Sequence, residues 1–191
     1  MASASDIIQE VLSIVAPGLV GTERDKLAAS IERLISVALR SMAVSLSKSD
    51  DTSISTLVSQ WYNVTTDSNG QVDLTSYTTQ AVKPIILSIP FLKVRSDSVP
   101  EGELFPMPDI QTLNNKPTDE GLYYYTVESL TFFTRGGDDG SPLVTTVVRI
   151  LAPFVPNIVS INDTLRPYLI TEILNSFSDD SSGNKNGGRK K

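Results

Sequence analysis

The sequence contains no cysteine and no histidine among its 191 residues. The absence of cysteine excludes disulfide bonds, zinc–thiolate sites, iron–sulfur clusters and cysteine nucleophiles. The absence of histidine removes the commonest general base near neutral pH and the commonest ligand of transition metals. Because these absences close most catalytic routes, we expect a protein that is not an enzyme and that needs no cofactor or metal.

Two pairs of carboxylates remain as candidates for acid–base chemistry, Glu101 with Glu103 and Asp138 with Asp139. Glycoside hydrolysis needs two acids that face each other across a cleft. Both pairs fall in polar loop segments, where carboxylates are solvated. A serine nucleophile would need a lysine or carboxylate as its base, and no such motif stands out. We therefore interpret both pairs as solubilising loop residues.

The net charge of −6 argues against a general nucleic-acid binder, because such proteins need cations to neutralise phosphates. The C-terminal residues 178–191 nevertheless form a Gly- and Asn-rich tail with a basic end, which we expect to be flexible. No apolar run reaches the ~20 residues that span a bilayer. Since the N-terminus lacks the positive segment of a secretory signal, we expect synthesis in the cytoplasm and no membrane contact.

Two helices are predicted at the N-terminus. Apolar residues recur with helical spacing from Ile7, after Ser5 as a candidate cap, until Pro17 interrupts the pattern. A second helix begins near Thr22, whose hydroxyl is placed to cap the backbone N–H of Asp25. Residues 1–48 are therefore expected to form a helical hairpin.

The central part of the chain has the composition of strands. Residues 67–70 predict a turn, and residues 71–94 are rich in Thr, Val, Ile and Tyr. Three later segments predict an antiparallel meander: 122–127, 130–134 and 144–154. A closing helix is predicted over residues 164–177, with Pro167 in its first turn. For residues 52–61 the pattern leaves a short helix and an extended segment open.

These elements predict an α+β fold in which residues 49–177 form a small antiparallel sheet or sandwich with a closing helix. Between the strands, residues 96–117 contain four prolines and predict a long apolar loop. The aromatic residues concentrate at 123–125 and 132–133. Because neighbours in a strand face opposite sides, we expect Tyr124 and one of the two phenylalanines in the core.

The region from Asn69 to Phe177 shows an ordered pattern of residue classes. Its segments in chain order are 69–74, 85–89, 124–127, 130–133, 146–150 ending towards Pro153, and 161–170. In this order the chain resembles the head–tail connector proteins of tailed bacteriophages, also known as neck or ring adaptor proteins. The helical hairpin (7–42) and the proline-rich segment (100–117) are longer than in the smaller members. Larger necks, such as those of podovirus-like and crAss-like phages, have room for these arms.

The resemblance implies a structural virion protein of the neck, present as a cyclic homo-oligomer, a dodecamer, between portal and tail. It implies contacts with the portal protein and other neck or tail proteins, and contact of the basic tail with packaged DNA or an acidic neighbour. The contact elements that we expect are the proline-rich segment, the turn at 136–140 and the tail. Their residues are Phe105, Met107, Ile110, Gly136, Asp138, Asp139, Arg189, Lys190 and Lys191.

An alternative function from another class is a non-catalytic β-rich binding module on a tail or surface structure. Such a module would recognise a glycan or a host protein. It predicts exposed aromatic side chains around a concave site, and the candidates are Trp61, Tyr123 and Tyr125.

Overall fold

The computed structural model describes residues 2–74, 84–85, 91–98, 101–107, 121–128, 131–136 and 141–182. They form helices and a mixed, curled β-sheet, which confirms the α+β class. The chain folds into two compact units. The described residues of 1–58 and 155–182 form a helical unit, and those of 59–154 form a β unit.

Helix α1 spans Ala4–Val15 and begins with a capping box. The Oγ of Ser3 accepts a hydrogen bond from the backbone N–H of Asp6 (3.3 Å), and the Asp6 carboxylate accepts one from the Ser3 N–H (2.8 Å). The predicted cap, Ser5, instead lies inside the helix. Ser3 takes this role because an acidic residue follows it three positions later, which allows the reciprocal bond.

Helix α2 spans Gly21–Ser47 and follows α1 as the sequence predicts. The capping box expected from Thr22 is wrong, because the helix begins one residue earlier and its N-cap, Val20, makes no side-chain hydrogen bond. The buried stripe of α2 follows the predicted helical spacing and consists of Ile31, Ile35, Ala38, Leu39, Met42 and Ala43. Apolar burial therefore fixes the orientation of this helix.

The segment left open between helix and strand contains both structures. Helix α3 (Thr52–Ser55) is capped by Asp51, whose carboxylate accepts from the Ser53 N–H at 2.9 Å. Strand β1 (Ser59–Thr65) follows it after three residues. A one-turn helix with a side-chain cap is thus compatible with an extended segment immediately behind it.

Helix α4 spans Arg166–Ser182, so it begins and ends later than predicted, while Pro167 lies in its first turn as expected. The sequence-based division groups this helix with the strands of 49–177. In the structure α4 contacts α1 and α2. An isolated antiparallel β-bridge between Ala2 and Ile161 joins the segment before α1 to the segment before α4. The reason is that Leu169 and Ile173, both fully buried, share one face of α4 with the apolar stripes of the other helices.

The β unit is one sheet with strand order β1-β8-β3-β4-β5-β6-β2, and β7 pairs with β6. Besides β1, its strands are β2 (Gln71–Asp73), β3 (Lys93–Ser96), β4 (Gly102–Pro106), β5 (Leu122–Glu128), β6 (Thr131–Gly136), β7 (Ser141–Pro142) and β8 (Val147–Pro153). The predicted pairing of β5 with β6 is confirmed. The predicted third strand is present as β8, but its predicted place in that meander is wrong, because β8 pairs with β1 and β3 instead.

The proline-rich segment contains a strand where the sequence predicts a loop. Strand β4 pairs antiparallel with β3 and parallel with β5. Pro106 is tolerated because it ends the strand, and the next N–H, that of Met107, continues the ladder to the Tyr124 carbonyl at 2.9 Å. The sheet is therefore mixed rather than antiparallel throughout.

The core of the β unit centres on three aromatic rings. Tyr124 and Phe132 are fully buried with ring centroids 5.8 Å apart, and the Phe91 ring lies 5.7 Å from that of Phe132. The expectation that Tyr124 and one phenylalanine belong to the core is confirmed. Burial raises the pKa of the Tyr124 hydroxyl to about 12, so this group is uncharged at neutral pH.

Candidate functional site

Three of the nine expected contact residues lie within the described part of the chain. Phe105 is on β4 with 55% of its surface exposed, and Met107 follows it half-buried. Gly136 is the last residue of β6. The six that lie outside the described residues are Ile110, Asp138, Asp139, Arg189, Lys190 and Lys191.

Gly136 is a packing residue and not part of an exposed turn. It pairs with Ser141 of β7 and is buried. A Cβ atom added at this position would meet Leu143 Cδ2 at 2.8 Å and the Leu122 side chain even closer. The small size of glycine therefore allows two leucine side chains to pack over this strand, and residues 137–140 of the predicted turn lie outside the described residues.

A second surface, which the sequence analysis did not single out, lies where α1 turns into α2. We define the hairpin tip as residues 14–21. Ile14 and Val20 expose 52% and 78% of their surfaces, and Val15 is exposed beside them. Residues 11–22 have no charged side chain, and this uncharged run is the signal that could have revealed the surface. Exposed, contiguous apolar side chains mark interaction sites in soluble proteins.

Hydrogen bonds connect the hairpin tip to both helices. Arg24 of α2 donates to Gln9 of α1 and to the backbone carbonyl of Leu19 (3.5 Å), so it ties both helices to the connection. Gly18 and Gly21 adopt φ values of +92° and +64°, which other residues rarely adopt, and this permits the tight reversal. The exposed apolar residues are therefore presented on an ordered support.

A groove of about 450 Å³ lies on the outer face of the β unit. Strand alternation explains its composition, because Tyr62, Val94 and Leu104 turn towards the core and their neighbours face outwards. Trp61 is the aromatic member and exposes 38% of its surface. The residues that line the groove are Trp61, Lys93, Arg95, Glu101, Gly102 and Glu103.

The register of the strands places these groups on the same face of the sheet. Trp61 and Lys93 flank Leu151 on opposite edges of β8, and Glu103 lies opposite Arg95. The chain brings them from two regions, since a long stretch of sequence separates β1 from β3, whereas only a short connection separates β3 from β4. Of the aromatic residues expected around a concave site, Trp61 therefore lines a groove. Tyr123 is half-buried, and the side chain of Tyr125 lies outside the description.

Ion pairs fix the charged side chains beside the groove. Arg95 and Arg149 lie opposite each other, which by itself is unfavourable. Asp97 relieves the repulsion, because its two oxygens contact Arg95 Nε at 2.8 Å and Arg149 Nη1 at 3.1 Å. Glu101 contacts Arg95 Nη2 at 2.8 Å. The Arg149 guanidinium also lies 5.3 Å from the ring centre of Trp61, within the range of a cation–π contact.

The described residues contain no group of three carboxylates that could hold a metal ion. In that same part of the chain, no helix is long and apolar enough to cross a membrane.

Comparison with known proteins adds no identification. No protein-family model matches the sequence, and no curated protein matches it.

Proposed function

We propose that this protein is a non-catalytic structural component of a phage neck, a ring adaptor between portal and tail that assembles through contacts between identical subunits. The observation that supports the proposal is the hairpin tip, an ordered and uncharged apolar surface on the helical unit. Leaving such a surface in water is unfavourable by about 25 cal/mol per Å², so a partner is expected to cover it.

A ring requires two different patches on each subunit, because head-to-tail contacts are heterologous. The helical unit offers the hairpin tip, and the β unit offers exposed apolar side chains that include Phe105 and Val147. We assign the hairpin tip to the contact with the neighbouring copy. In this proposal the protein also contacts the portal and other neck or tail proteins. Its basic tail contacts packaged DNA or an acidic neighbour.

Native mass spectrometry of the full-length protein tests the proposal. We expect a closed oligomer of a single order, twelve copies by the resemblance to connector proteins. Val20→Asp places a charge at the most exposed apolar residue of the tip and shifts the population towards monomer, because the charge would be buried without a partner. Ala29→Asp adds the same charge at an exposed position further along α2 and leaves the oligomer intact.

A wild-type protein that stays monomeric at high concentration, alone and with portal protein, would contradict the ring. An oligomer that Val20→Asp does not weaken would contradict the role of the hairpin tip.

A further inference from the structure

The groove on the β unit contains an aromatic surface that is fixed before any ligand arrives. Arg149 packs against the Trp61 ring at 5.3 Å and is itself held by Asp97, so neither side chain needs to be ordered on binding. Such preorganisation lowers the entropic cost of association. The exposed part of the indole then offers a flat apolar surface to one face of a ligand.

The charges around this surface balance. Three cations (Lys93, Arg95, Arg149) and three anions lie in or beside the groove, the anions being Asp97, Glu101 and Glu103. A net positive site would favour phosphate, and a net negative one would favour a basic peptide. A balanced site favours neither, so the ligand is expected to be neutral.

Two of the lining side chains remain available for hydrogen bonds. Within the part of the chain that the structure describes, neither Lys93 nor Glu103 makes an ion pair or a side-chain hydrogen bond. The Lys93 ammonium is a donor and the Glu103 carboxylate is an acceptor. Hydroxyl groups both donate and accept, so a polyhydroxylated ligand can satisfy both side chains at once.

We propose that this groove is a binding site for a neutral saccharide, with one sugar ring stacked on Trp61 and hydroxyls of the following rings bonded to Lys93 and Glu103. The volume of about 450 Å³ lies in the range of small-molecule sites, about 300–1,000 Å³. This site belongs to the β unit alone. It is independent of the hairpin tip and of the ring, and a protein that forms no ring can still bind through it.

Fluorescence provides a direct measurement, because Trp61 is the only tryptophan of the chain. The full-length protein is titrated with maltotriose, cellotriose, mannotriose and chitotriose, each to ~10 mM, where weak ligands still bind measurably. We expect a saturable change in emission with at least one of them. Inorganic phosphate and trilysine serve as charged probes and are expected to give no saturable change.

Variants distinguish sugar binding in this groove from unspecific binding elsewhere on the protein. Saturation-transfer NMR of the sugar protons measures the binding. Trp61→Ala weakens binding by roughly tenfold or more, and Trp61→Phe retains part of it, because the flat surface persists. Glu103→Gln, which keeps the shape of the side chain, weakens binding roughly fivefold. Tyr168→Ala is the matched control, since Tyr168 is also 38% exposed but belongs to the helical unit, and it leaves binding unchanged.

Three results would overturn the proposal. The first is no saturable response to any of the four sugars. The second is saturation by phosphate or trilysine alone, which would assign the groove to a charged ligand. The third is unchanged sugar binding in both Trp61→Ala and Glu103→Gln, which would place the sugar elsewhere.

Discussion

Asp67 fixes the turn before β2 with its own side chain. Its Oδ1 accepts hydrogen bonds from the backbone N–H groups of Asn69 and Gln71, both at 2.8 Å, and these bonds lower the pKa of the carboxyl. Gly70 completes the turn at φ +71°, where an added Cβ would also meet Pro142 at 2.8 Å. The turn predicted at 67–70 is thereby confirmed, and it is confirmed because its determinants lie within five consecutive residues.

Gly136 gives a prediction about the core of the β unit. We expect Gly136→Ala to lower the free energy of unfolding by about 1–3 kcal/mol, because the new methyl group must displace the buried Leu122 and Leu143 side chains. Denaturant unfolding measures this loss.

Gly102→Ala is the control with a milder contact, because the nearest atom to its new methyl group, Leu122 Cδ1, is 3.2 Å away. The free energy of unfolding should therefore fall less than in Gly136→Ala. The double variant Gly136→Ala/Leu143→Ala should be more stable than the sum of the two single losses predicts. Additive losses would contradict the proposed clash.

At the scale of elements, the start of α1 depends on one reciprocal pair of side chains. The hydrogen bonds that the Ser3 backbone and hydroxyl donate to Asp6 lower the pKa of this exposed carboxyl below its ordinary value of 3.8. A carboxyl with a lowered pKa stabilises the folded state above the ordinary value, and this contribution is lost as the pH falls through the folded value. The capping box therefore acts at neutral pH and fades in acid.

We expect Asp6→Asn to lower the thermal unfolding midpoint at pH 7, with a difference from the wild type that shrinks as the pH falls below 3.8. The exposed Asp25, which lies inside α2, provides the control: Asp25→Asn should change the midpoint less at pH 7. A midpoint difference for Asp6→Asn that stays constant from pH 7 into acid would contradict the role of the charged cap.

At the scale of the whole molecule, the two ends of the chain build one unit and the middle builds the other. Helix α4 follows the whole β unit in the sequence but packs against α1 and α2. An ion pair between Glu10 and Arg166 joins α1 to α4. Both partners of this pair are partly exposed, so it contributes at most about 1 kcal/mol. Burial of Leu169 and Ile173 is therefore the main stabilisation.

This arrangement predicts how fragments behave. Residues 59–154 alone should retain a strand-type circular dichroism spectrum and a cooperative thermal transition, because the core cluster of the β unit lies within this range. A fragment of residues 1–154 should not show the thermal unfolding transition of the helical unit, because α4 no longer covers the apolar stripes of α1 and α2. Protease digestion followed by mass spectrometry then shows 59–154 surviving and 1–58 degraded. Survival of residues 1–58 without α4 would contradict the division.

Features that depend on near neighbours along the chain are predictable from the sequence. The helices follow from apolar spacing, as in Ile31, Ile35 and Leu39, because each helical hydrogen bond joins residues four apart. Alternation likewise identified Tyr124 as a core residue. Even the errors at Ser5 and Thr22 are displacements of one or two residues along the chain.

Which distant segments of the chain meet depends on the tertiary fold and cannot be inferred from local patterns. Alternation states which face a strand residue occupies but not which strand lies beside it, so β8 was assigned to the wrong neighbour and β4 was not recognised. For the same reason the groove could not be predicted as a unit. Trp61, Lys93 and Glu103 come to line one groove through the register of β1, β8, β3 and β4. Ladder hydrogen bonds and buried side chains set that register across the sheet, and no local pattern encodes it.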